Sequence, residues 1–101
     1  MDIDLVVEAE RTRICLSGRF DYTTHGRFLS QAEGALAQTD RKQLWIDMAD
    51  VEYIDSSALG MLLMLRDRAR KEGKSVALVN VRGYTRDVID SAQFNRLFDI
   101  H

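Results

Sequence analysis

Three consecutive residues with oxygen-bearing side chains, Asp55-Ser56-Ser57, hold the densest chemistry in this sequence. They follow the run Val51-Glu52-Tyr53-Ile54 and precede a stretch, 61–72, whose apolar residues recur at helical spacing. That order predicts strand, tight turn, helix. Side chains of these types cap helices well, because their oxygens accept the orphan amide hydrogens of the first turn. Ser56 is the expected cap or turn residue, and Asp55 the expected turn former. A hydroxyl placed there has a second use. The helix dipole and the unsatisfied N–H groups favour added negative charge, a phosphate included. The turn is thus a candidate phosphorylatable switch in a module that binds a partner.

The other reactive residue types do not form a constellation. A serine hydrolase needs a base and an orienting acid beside its nucleophile, and the serine pair lacks the Gly-x-Ser-x-Gly elbow. The histidines are His25, early in an expected helix, and His101, the last residue of the sequence. Two histidines and one cysteine show no metal-ligand spacing. No glycine-rich phosphate loop occurs. The expectation is a non-enzyme without metal or cofactor. Cys15 cannot form an intramolecular disulfide, since it is the one cysteine. In an alternating strand it reads as a small buried hydrophobe.

Composition narrows the class further. Hydrophobic residues make up 46% and charged residues 30%, which suits a core and a solvated surface. A formal net charge of −2 with no basic block gives no case for nucleic acid. The longest apolar run, 58–65, falls far short of the ~20 residues of a membrane span. Asp2 and Asp4 stand where an export signal would carry positive charge. A cytoplasmic protein with no direct membrane insertion is expected. Without proline, repeats or a linker, 1–101 reads as a single domain.

The elements that must position the turn follow from periodicity. Strands are predicted over 3–8 and 11–17, joined as a hairpin at Ala9-Glu10 and ended by Gly18. Asp21 is expected to cap a first helix over about 22–37, with Phe28, Leu29, Ala32, Ala35 and Leu36 inward. A polar loop covers 38–42. Residues 43–47 read as a central strand, apolar on both sides through Leu44-Trp45-Ile46 and covered by helices. Residues 51–54 look too short for a separate strand and simply carry the chain to the turn. The second helix, about 57–72, has a core stripe of Ala58, Met61, Leu62, Leu65 and Ala69, with Gly73 just past its end. Leu59, Leu63 and Met64 leave that stripe. They are either contact area for a partner or extra core under a loop. A strand over 75–81 follows, then a short helix, 86–92, capped by Thr85, with Val88, Ile89 and Ala92 inward. Residues 97–100 form a last strand or a docked tail. A hairpin followed by alternating helices and strands implies a mixed sheet with helices packed on it.

On these residues the chain resembles a STAS domain of the bacterial anti-sigma factor antagonist type. The resemblance rests on Leu44-Trp45-Ile46-Asp47-Met48, on 51–60 with its Asp-Ser-Ser-Ala-Leu-Gly string, and on the long helix and the strand at Val76. It covers nearly the whole chain. It implies an α/β fold whose mixed sheet carries its helices largely on one side. It implies that Ser57 accepts phosphate from a partner, an anti-sigma factor of the histidine-kinase-like ATPase group or a related serine kinase. A metal-dependent serine phosphatase would reverse the modification. In such systems the unmodified antagonist binds the anti-sigma factor and so regulates transcription. Asp21 falls where the family places an acidic residue near the phosphosite. The expected partner surface is therefore Asp21, Asp55, Ser56, Ser57, Ala58, Leu59, Leu63 and Met64. Two departures stand out: the chain has no proline, although relatives often have one before the last helix, and Ala58 replaces the commoner glycine. The competing expectation keeps the fold and changes the role: a STAS-like accessory subunit that braces the ATPase of a membrane transporter. Neither reading fixes the oligomeric state.

Overall fold

In the computed structural model, which describes residues 1–38 and 40–101, the turn at Asp55 lies where a long central strand meets the longest helix. β1 (Asp2–Val7) and β2 (Arg11–Phe20) form the expected antiparallel hairpin, with Leu5 opposite Ile14. β2 does not stop at Gly18. That glycine takes a φ of +92°, and the pairing to the next strand shifts register on both sides of it. A bulge of this kind bends and twists a strand without ending it, and glycine supplies the left-handed backbone cheaply. A single turn of 3₁₀ helix, Tyr22–Thr24, then leads into α1 (His25–Gln38). Of the polar link expected over 38–42, Gln38 closes α1, and Thr39 lies outside the described residues.

β3 (Gln43–Ile54) corrects the sequence reading. The stretch expected to be a short strand and a connecting segment is one strand of 12 residues. Its polar middle is tolerable because Asp47 is satisfied there. The carboxylate accepts hydrogen bonds from the Arg13 guanidinium at 2.8 Å, the Asn80 side-chain amide at 3.0 Å and the Ala49 amide at 3.0 Å. α2 (Ser56–Lys71) follows after one residue, then β4 (Ser75–Val79), α3 (Gly83–Ser91), a short 3₁₀ turn at Phe94–Arg96, and the two-residue β5 (Asp99–Ile100). The strands lie in the sheet in chain order, β1-β2-β3-β4-β5. β1 is antiparallel to β2, and the remaining neighbours are parallel.

The helices cover one face. Ile14, Leu16, Leu44, Ile46, Met48 and Leu78 point into it and meet Phe28, Ala32 and Leu36 of α1 and the full predicted stripe of α2. Trp45 shows why the expected two-sided cover is absent. It lies on the opposite face, where the Arg11 guanidinium sits 3.7 Å from its ring centroid and the His101 ring stacks at 5.8 Å. Cation–π contact and stacking shield the indole in place of a second helical layer. At the far end of α2, the Lys74 amide bonds the Ala69 carbonyl at 2.9 Å and the Gly73 amide bonds the Arg70 carbonyl at 3.1 Å. With Gly73 at φ +71° this is a Schellman stop, as its position predicts. Thr85 does not cap α3. The helix begins two residues earlier, after Arg82, which makes no side-chain cap bond. Thr85 is buried instead, and its hydroxyl donates to the Val51 carbonyl at 3.4 Å, an acceptor that a buried hydroxyl needs.

Candidate functional site

Asp55, not a serine, caps α2. Its backbone is extended, and its carboxylate accepts the Ala58 amide at 3.0 Å. Ser56 and Ser57 become the first two helical residues. Asp55 wins because it stands directly after the last buried strand residue, Ile54, where the chain must change from extended to helical backbone. Its own amide bonds the Phe20 carbonyl at 3.4 Å, which ties the turn to the end of β2. The amides of Ser56 and Ser57 have no intrahelical acceptor, as in any helix start.

Ser56 is exposed and Ser57 half-buried, and neither hydroxyl makes a hydrogen bond to another described residue. The Ser57 oxygen therefore sits at the positive end of a 16-residue helix with no structural task of its own. Ala58 beneath it is fully buried. Leu59 and Leu63 are half-buried, packed on the margin of the core, while Met64 is 39% exposed. The two alternatives left open for these residues thus divide along the helix. Leu59 and Leu63 pack on the core while keeping part of their surface open, and Met64 is exposed.

Asp21 occupies the neighbouring strand end and is only 8% exposed. It takes the Thr23 amide at 3.0 Å and the Thr23 hydroxyl at 2.6 Å, and Arg19 approaches it at 3.5 Å. The Thr23 hydroxyl, ahead of the Arg19 charge, holds its carboxyl below the usual carboxylate range. Its geometry is that of a satisfied cap. The charge it adds beside the turn is fixed, but its oxygens are already engaged.

Aromatic residues that sequence reasoning passed over flank the turn. Arg19 and Tyr53 are paired across β2 and β3, one residue before Phe20 and Ile54, and the guanidinium lies 4.1 Å from the Tyr53 ring centroid. Tyr53 also stacks on Tyr84, from the start of α3, at 6.0 Å. Tyr22 is 71% exposed beside the Asp21 cap. The available signal was compositional: tyrosine and arginine placed at strand ends adjoining a candidate site, residue types enriched where proteins bind each other. The histidines do not converge on the serines. His25 opens α1, and His101 lies on Trp45.

Three comparisons set this geometry beside known proteins. Residues 3–99 match the family model described as "Mlab, STAS domain". A STAS-domain containing protein of Pseudomonas aeruginosa (strain UCBPP-PA14) is 37% identical over 93 residues, covering 92% of this chain and 90% of the relative. An anti-sigma factor antagonist from Mycobacterium paratuberculosis superimposes with a TM-score of 0.87 at 20% identity, over 99% of this chain and 84% of the other. The anti-sigma factor antagonist SpoIIAA in its unphosphorylated form gives 0.75 at 20% identity, over 99% and 87%.

Proposed function

The chain belongs to the STAS-domain family, and on that premise we propose that it is a phosphorylation-controlled partner switch of the anti-sigma factor antagonist kind. Unmodified at Ser57, it binds an anti-sigma factor that is also its serine kinase. Phosphorylated, it lets that partner go, and a metal-dependent serine phosphatase resets it. The observation that carries this reading is the Ser57 hydroxyl, on a half-buried residue in the first turn of α2 and without a hydrogen-bond partner among the described residues. SpoIIAA, solved in phosphorylated as well as unphosphorylated form, supports the view that this fold accommodates the modification.

The physics of release is local. Phosphorylation adds roughly −1.5 to −2 charges. The helix N-terminus tolerates them, with a favourable dipole contribution of about 0.3–1 kcal/mol, so the fold persists. A partner closed over Ser57, Leu59, Leu63 and Met64 would have to desolvate the phosphate beside the carboxylates of Asp55 and Asp21. About 1.4 kcal/mol of that cost already loosens the complex tenfold.

The test is a kinase reaction on the purified protein with ATP and the serine kinase of the native cell, followed by phosphosite mapping and affinity measurement. Phosphate on Ser57 and a weakened complex support the switch. A stable complex with a transporter ATPase and no phosphopeptide would establish the accessory-subunit role instead.

A further inference from the structure

A second site lies at the opposite end of α2, roughly 20 Å from Ser57 along the helix axis at 1.5 Å per residue. It is a cleft of about 330 Å³ between the last turns of α2, the start of β4 and the Asn95–Asp99 stretch. Arg66, Arg70, Lys74 and Arg96 all line it, against one acid, Asp99. In a chain whose formal charge is −2, such a local excess of cations calls for a reason. Helix polarity supplies part of one, because the carbonyl end of α2 attracts Arg68, Arg70 and Lys71 in its last turn. It does not account for Arg96, which reaches the same cleft from a different element.

Two of the cleft's cations stand outside the ion pairs of the described residues. Arg11, Arg13, Arg19, Arg41, Arg68 and Arg86 each have a carboxylate within 4 Å, and so does Arg66 of the cleft, 3.8 Å from Asp67. Arg70 and Arg96 have none among the described residues. Arg66 is held in place by its Nε donating to the Leu97 carbonyl at 2.7 Å, which fixes one wall before any ligand arrives. Lys74 is anchored through its ammonium to the Leu36 carbonyl. Val76, Leu97 and Phe98 give the cleft an apolar side.

We propose that this cleft binds the phosphate group of a small anionic metabolite, with the Arg70 and Arg96 guanidiniums as its ligands. Guanidinium donors in a fork suit phosphate oxygens, and charge-assisted bonds of this type are the strong ones. The volume lies at the lower end of small-molecule sites and leaves room for a short organic tail against Leu97 and Phe98. The proposal is independent of the Ser57 switch.

The test is an NMR titration of the full ¹⁵N-labelled chain with inorganic phosphate and, separately, ribose 5-phosphate, at constant ionic strength. Saturable shifts at Arg66, Arg70, Asn95 and Arg96 are expected. Arg70→Gln and Arg96→Gln should each weaken binding about tenfold or more. Both residues are exposed, so both variants should keep the wild-type melting curve. Tighter binding of ribose 5-phosphate identifies a phosphate ester as the ligand, and equal binding identifies free phosphate. Shifts that sodium chloride reproduces, shifts confined to the Ser57 turn, or affinities unchanged in both variants would overturn the site.

Discussion

At the scale of single residues, Asp55 and Ser57 divide the labour of one turn. Asp55 holds the helix, and the Ser57 hydroxyl takes no part in the cap. Asp55→Ala should cost about 0.5–2 kcal/mol through the lost cap, with a melting midpoint lower by about 4–8 °C per kcal/mol. Asp55→Asn should keep most of that stability, since the cap needs an oxygen rather than a charge. Calorimetry of the two variants separates these roles. Ser57→Asp should leave circular dichroism and melting nearly unchanged while lowering affinity for the partner at least tenfold. Wild-type affinity in that variant would remove the electrostatic account of release. The position of the turn was legible in the sequence because two strong local signals, an apolar run and a helical stripe, meet there. Which oxygen caps was not, since Asp, Ser and Ser are all good caps and only the register of the strand end decides. The stack of Arg19, Tyr53 and Tyr84 was illegible for another reason. It joins three elements, and no local spacing brings them together.

At the scale of elements, the helices were readable and the strands less so. Every residue assigned to the inner stripe of α2 is buried, since a 3.6-residue period over 16 residues leaves little freedom. β3 was divided by its polar middle, because alternation cannot show that Asp47 will meet Arg13 and Asn80 across neighbouring strands. That same carboxylate gives the fold a pH signature. Burial alone would raise the Asp47 pKa, but the bonds from Asn80, the Ala49 amide and Arg13 outweigh it and hold it below the ordinary value. A depressed folded-state pKa contributes stability above the unfolded value of about 3.9, lost as pH falls through the folded value. Asp47→Asn should therefore destabilise by about 1.5–3 kcal/mol at pH 7. The gap to wild type should close as pH drops below about 3.9, and denaturant melts at pH 7, 5 and 3 read this directly. At the end of α2, Gly73→Ala tests the helix stop. An added Cβ meets nothing within 4 Å, so any loss comes from the backbone at φ +71° alone, about 1 kcal/mol.

At the scale of the whole molecule, one helical layer on one sheet face makes a single core, and its centre should be unforgiving. Leu62 is fully buried between α2 and the sheet. Leu62→Ala should cost about 2–5 kcal/mol by equilibrium denaturation, with loss of partner binding only in proportion to the unfolded fraction. The sheet carries a further consequence. Its spatial order copies the order of synthesis, so each parallel strand docks against the one made just before it, with one helix between. A chain emerging from the ribosome never has to hold a gap open for a strand still to come. Assembly can proceed as edgewise growth from the β1–β2 hairpin, with the short β5 sealing the last edge.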